Sequence, residues 1–141
     1  METAKRQGKM KSIAQVLFDA GKLLAKENGW TRGCFARTES GMPTDYNDEV
    51  WAKSFCVSGA ILASVDGNNK LDDYYKRVES ARGYVVRVVG DAIIPDWNDN
   101  KAKDQSEAVQ VVDAALVLAI QESDPGADPG AVIEAMVDAA K

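Results

Sequence analysis

Apolar residues recur at helical spacing in five places along the chain, and turn chemistry separates them. Ser12 to Asn28 gives the clearest pattern: Ile13, Val16, Leu17, Ala20 and Leu24 fall on one helical face. Ser12 and Gln15 have the spacing of a capping box, and Asn28-Gly29 has the residue types that end a helix. A second helix is predicted from Asn47 or Asp48 to Val65. Asp48 and Glu49 suit the positive end of its dipole, and Gly59 admits a close neighbour. Its face mixes Trp51, Phe55, Ser58, Ala60 and Leu62. Asp66-Gly67-Asn68-Asn69 closes it as a turn.

A third helix begins near Leu71 and carries Tyr74, Tyr75 and Val78. Tyr84 to Val89 is β-branched and also reads as a strand, with a break at Gly83. The helical reading is preferred, because Val78, Val85, Val88 and Val89 keep helical spacing and a lone strand would lack partners. Pro95 is expected to stop that element, leaving Asp96 to Asn100 as a polar loop around Trp97. The fourth helix runs from about Ser106 to Gln121 on Val109, Val112, Leu116, Ala119 and Ile120. Asp124-Pro125-Gly126-Ala127 then repeats at once as Asp128-Pro129-Gly130-Ala131. The second copy opens a last helix, with Asp128 as N-cap, Pro129 in the first turn and Val132, Ile133, Met136 and Val137 facing inward.

The fold expected is therefore mainly α, a compact bundle of about five helices with long intervening loops and a short extended segment near 33–37. The 141 residues form one domain in this reading. Residues 1–11 are a basic flexible tail, and 122–141 an appended C-terminal helix. The stretch from Trp30 to Tyr46, about 17 residues, is longer than most connections in compact domains, and such loops often carry function.

Composition narrows the chemistry. Net charge is −5, with Lys5, Arg6, Lys9 and Lys11 concentrated in the tail. The tail raises a nucleic-acid accessory role as one alternative, but the acidic body lacks the broad cationic surface that phosphate backbones require. No apolar run is long enough to span a membrane, and the N-terminus lacks the apolar core of a signal peptide, so a cytoplasmic protein is expected. The chain contains no histidine, which removes histidine-based triads, imidazole acid–base chemistry and histidine-ligated zinc. Two cysteines, Cys34 and Cys56, are too few for an all-cysteine zinc site or a disulfide framework. Cys56, among Phe55, Val57 and Ala60, reads as a core residue, while Arg32 and Arg37 flank Cys34.

Asp96, Asn98, Asn100, Asp104 and Glu107 have the spacing of a calcium loop. Lys101 stands where that loop needs Gly, so the preferred reading is a polar turn with Asp104 and Glu107 as a helix capping box. Asp96 and Asp99 are the remaining carboxylate pair, and with Glu107 they define the other alternative, a metal-dependent enzyme. No cofactor is expected. Trp30, Trp51 and Trp97 lie near element ends, where they either join the core or line a pocket with Arg32, Arg37, Tyr74 and Tyr75.

Gly29-Trp30, Gly33, Ala36-Arg37, Cys56-Val57-Ser58-Gly59-Ala60 and Trp97-Asn98-Asp99 occur in that order. In this the chain resembles a family of small bacterial and phage proteins that carry a domain of unknown function, over about Lys11 to Gln121. Many relatives in that family have cysteine directly after the first Trp, where this chain has Thr31. The resemblance implies a compact helical domain of bacterial or phage origin and no particular activity. The leading expectation is a small non-enzymatic binding or regulatory protein, inhibiting a host protein or sequestering a small molecule. Its candidate contacts are Trp30, Arg32, Arg37, Trp97, Asn98 and Asp99. The partner is a protein or small molecule of unknown identity, and the last helix offers a homodimer face.

Overall fold

The computed structural model describes residues 11–65, 71–91 and 93–141. The expected tail at 1–10 and the Asp66–Asn69 turn lie outside the described residues. Lys11, the last residue of that tail, is docked: its ammonium donates to Ser64 O at 2.8 Å and pairs with Asp19 at 2.8 Å.

Helix α1 spans Ile13–Ala25. Ser12 caps it by accepting from Gln15 N at 3.0 Å, but the Gln15 amide turns to Asp19 Oδ1, so only half of the capping box forms. Val16, Leu17, Ala20 and Leu24 are fully buried, as their spacing requires. The helix stops at Ala25, three residues before the predicted end, because Lys26 is already extended. Asn28 takes the left-handed conformation (φ 56°), and Gly29 is needed because a Cβ there would lie 2.4 Å from Leu23 O.

The predicted second helix is corrected. Residues 48–56 are not its first turns. Asp48 closes a single turn with Trp51 N and Ala52 N, and the chain then extends. Strands β1 (Ala36–Arg37), β2 (Pro43–Thr44) and β3 (Ser54–Phe55) form a small antiparallel sheet in the order β2-β1-β3. Ala36 faces Phe55 and Arg37 faces Ser54. Phe55 N donates to Gly29 O and Cys56 N to Phe35 O, bonds that a helix through 48–56 would forfeit. Helix α2 is therefore short, Val57–Ser64, and its N-cap is Cys56, whose sulfur accepts from Gly59 N at 3.2 Å. Gly59 does admit a close neighbour: a Cβ there would lie 2.0 Å from Phe35 O.

Helix α3 runs unbroken through Gly83, Leu71–Val89, so the 84–89 segment is helical. Val78 and Val85 are buried on its inner face. It ends at Gly90 in the left-handed conformation (φ 72°), not at Pro95. Pro95 instead sits in the first turn of a short helical stretch, Ile94–Asp96, that runs on as a π-helical turn, Trp97–Lys101. The polar loop expected at 96–100 is thus a helical turn with Trp97 and Asn98 buried inside it.

Helix α4 spans Gln105–Ser123 and is capped by Asp104, with Glu107 reaching back to the residue before the cap. Glu107 N donates to Asp104 Oδ1 at 2.9 Å, and Lys103 N to Glu107 Oε1 at 2.7 Å. Helix α5, Pro129–Ala139, starts from Asp128 as predicted. It lies lightly on the body: Val132, Ile133 and Met136 are only partly buried, and Val137 faces solvent rather than inward. The fold is mainly α with a small three-stranded sheet. Its core is the α1–α4 seam, flanked by α2 and α3. Each large aliphatic side chain buried there contributes about 1.5–3 kcal/mol.

Candidate functional site

The six residues singled out from the sequence come together, but around a buried core. Asn98 has no solvent exposure, and every hydrogen-bonding position of its amide faces a partner. Its Oδ1 accepts from Trp30 Nε1 at 2.8 Å and from Val57 N at 3.0 Å. Its Nδ2 donates to Thr31 O and to Asp99 Oδ1, each at 3.0 Å. Asp99 Oδ1 also accepts from Gly33 N at 2.9 Å. One side chain therefore ties the 29–33 loop, the first residue of α2 and the π-helical turn into a single clasp. The π turn itself, closed by Ala102 N to Trp97 O at 2.8 Å, places Asn98 at that junction.

The two arginines brace the same loop. The Arg32 guanidinium lies over the Trp30 ring, 4.5 Å from its centroid, and donates to Ala102 O at 2.5 Å. Arg37 donates to Thr31 Oγ1 at 2.9 Å, Gly41 O at 3.0 Å and Arg32 O at 2.9 Å. Gly33 takes a positive φ of 85° between them. Trp30 is half-buried and Trp97 buried. Trp97 joins the core and Trp30 packs against it with its Nε1–H on Asn98, so the region is a brace and not an open pocket. Trp51 stands apart, 63% exposed. Tyr74 and Tyr75 also stand apart and line a different cleft.

The calcium-like run does not converge on one point. Asp104 and Glu107 cap α4, Asn100 donates to Asp96 Oδ1, and Lys101 pairs with Asp91 at 2.7 Å and Asp96 at 3.7 Å. Among the described residues no group of three or more acidic or cysteine side chains is arranged to hold a metal ion. Cys56 is buried, and burial pushes its thiol up to about 11 despite the Gly59 amide hydrogen bond. Cys34 is half-buried and donates to Ala36 O at 3.2 Å; both thiols are free.

Two surface features were only partly read from the sequence, which named the 30–46 stretch, Trp51, Tyr74 and Tyr75 but not their neighbours. The first is a group of exposed apolar side chains on the sheet excursion: Phe35, Met42, Val50 and Trp51. The second is a cleft of about 650 Å³ between the end of α1, the 46–53 turn and the start of α3. Tyr46, Tyr74 and Tyr75 line it together with Phe55 and Leu62. Tyr74 donates to Leu62 O at 2.9 Å, and its hydroxyl lies 3.4 Å from that of Tyr46. Burial and that neighbour push the Tyr74 hydroxyl well above the usual phenol range.

These features define a helical fold whose irregular excursion, residues 29–56, is fastened to the bundle by Asn98, Asp99 and Arg32. The chain belongs to the family of unknown function DUF6197, which it matches over residues 9–117. The match ends inside α4, so α5 and the duplicated Asp-Pro-Gly-Ala lie beyond it. Comparison with curated proteins and with solved structures gave no match. No helix among the described residues is long and apolar enough to cross a membrane.

Proposed function

We propose that the protein is a small non-catalytic binding and regulatory protein, of bacterial or phage origin and working in the cytoplasm, that engages a protein partner through its sheet excursion. One observation carries this reading. Of seven large apolar side chains exposed among the described residues, four (Phe35, Met42, Val50 and Trp51) come from the single stretch 35–51. Val50 is 68% exposed and Trp51 63%, a costly arrangement for a domain with no use for the surface. Tryptophan and methionine are enriched at protein interfaces, and tryptophan among hot spots. The clasp at Asn98 supports the reading from beneath, because a surface held rigid loses little entropy on binding.

In this reading Trp30, Arg32, Arg37, Trp97, Asn98 and Asp99 act by holding the surface, and the contacts are made by the exposed side chains around them. Two free thiols suit a reducing compartment. The thin catalytic inventory and the carboxylates already committed to caps and ion pairs favour binding over chemistry.

The test is affinity capture from the native host, comparing the wild type with a Met42→Ser/Trp51→Ala variant. Both side chains are exposed, so the variant should fold with an unchanged circular dichroism spectrum and melting curve. The expected result is a partner retained by the wild type and lost by the variant. A partner held equally by both would refute the placement of the surface.

A further inference from the structure

The cleft between α1, the 46–53 turn and α3 has a lining that the protein-binding surface does not use. Tyr75 is half-exposed and meets Tyr74 edge-on, with centroids 5.3 Å apart at 72°, so the wall presents both ring faces and edges. Phe55 and Leu62 extend the apolar floor. At about 650 Å³ the space falls within the range of small-molecule sites, roughly 300–1000 Å³.

The charges around it are unequal in what they are free to do. Both carboxylate oxygens of Asp48 are engaged, one with Trp51 N at 3.1 Å and one with Thr44 Oγ1 at 3.1 Å. Lys26 and Lys53 also line the cleft, and neither ammonium has a hydrogen-bond or ion-pair partner among the described residues. Glu49 is the one carboxylate of the lining left without a partner. Hydrogen bonds leave the Asp48 carboxylate charged, so the lining balances two ammonium groups against two carboxylates, and its uncommitted donors are the two ammonium groups beside the aromatic wall.

We propose that this cleft binds a small organic anion, with a flat apolar body lying against Tyr46, Tyr74 and Tyr75 and a carboxylate or phosphate met by Lys26 and Lys53. The two anionic groups share the chemistry that the lysines recognise, and the experiment separates them. The site is distinct from the exposed apolar surface, yet linked to it. Tyr46 meets Phe35 edge-on at 6.0 Å, and Lys53 lines both the cleft and the shallow depression beside Trp51. A bound anion would therefore touch the segment that presents the surface.

Isothermal titration calorimetry on the full chain tests this with indole-3-acetate and adenosine 5′-monophosphate as probes, and indole-3-acetamide and adenosine as their uncharged counterparts. At least one anion should bind saturably, about tenfold or more tighter than its neutral counterpart, as charge-assisted hydrogen bonds require. The preferred probe tells carboxylate from phosphate. A Lys26→Met/Lys53→Met variant should lose about tenfold or more in affinity. Both lysines are exposed, so the variant should fold as the wild type does. Failure of both anions to bind, equal binding of neutral and anionic probes, or an unaffected double variant would each overturn the proposal. The capture experiment is read separately, because Met42 and Trp51 do not line the cleft.

Discussion

Replacing Asn98 by alanine should cost about 4 kcal/mol of folding stability. The amide makes four hydrogen bonds and has no access to solvent. Its removal leaves Val57 N–H unpaired at a fully buried residue, which costs about 2 kcal/mol. Trp30 Nε1–H and Thr31 O are half-buried and recover part of their solvation, so each adds about 1 kcal/mol. A loss of that size is a large share of the roughly 5–15 kcal/mol typical of a folded domain. With a urea m-value near 2 kcal/mol/M, the midpoint should fall by about 2 M. Circular dichroism across a urea series measures it, and an unchanged slope would show that stability alone has moved. Asn98→Asp is the companion variant. It keeps both acceptor contacts but loses both donors and sets a second carboxylate against Asp99, so it should be destabilised as well. Asn100→Ala is the control, because Asn100 is exposed and bonds only Asp96. A midpoint shift below about 0.5 M for Asn98→Ala would refute the clasp as a structural keystone.

Two further outcomes follow from buried and crowded groups. At pH 8 Cys34 should react with a thiol reagent in the folded protein while Cys56 does not, since burial pushes the Cys56 thiol up to about 11. A thiol titration should count one fast group natively and two in denaturant, and equal native rates would refute it. Asp113 is surface-exposed but lies beside Gly21, where a Cβ would be 3.4 Å from its Oδ1, and partial desolvation by its surroundings raises its carboxyl above the ordinary value. The folded state then binds that proton more tightly than the unfolded state. This group's contribution therefore falls as pH rises from the unfolded value through the raised one, and at neutral pH it is a small cost. Asp113→Asn should be slightly stabilising at pH 7, with its advantage shrinking in acid; thermal melts across pH check it, and a destabilised variant at pH 7 would contradict it.

The helices were legible wherever local chemistry and burial agreed. Ser12, Asp104 and Asp128 each cap the helix assigned to them, and Val16, Leu17, Val112 and Leu116 are buried as their periodicity demands. The failure at 48–56 has a physical cause. Asp48 and Glu49 resemble a helix start, and Asp48 does make a turn, but the following backbone finds its partners in Gly29, Phe35 and Arg37. Those partners lie about 20 residues away, and no local pattern announces them. Helix propensity was overridden by tertiary pairing, as happens most readily to short segments.

The candidate residues were legible as a group, although their arrangement was not. Trp-Asn-Asp read as an exposed polar loop because asparagine and aspartate usually are exposed, whereas here the π turn carries Asn98 inward. A buried amide pays its desolvation cost only when every position is paired, and Asn98 meets that condition with partners from three separate segments. That requirement explains why the excursion can be both irregular and fixed. Two-residue strands cannot hold a sheet alone, so rigidity must come from side chains. Arg37 supplies it at the turn, Arg32 against Trp30, and Asn98 at the root. The exposed Phe35, Met42, Val50 and Trp51 then stand on a frame that Arg37, Arg32 and Asn98 hold in place by hydrogen bonds.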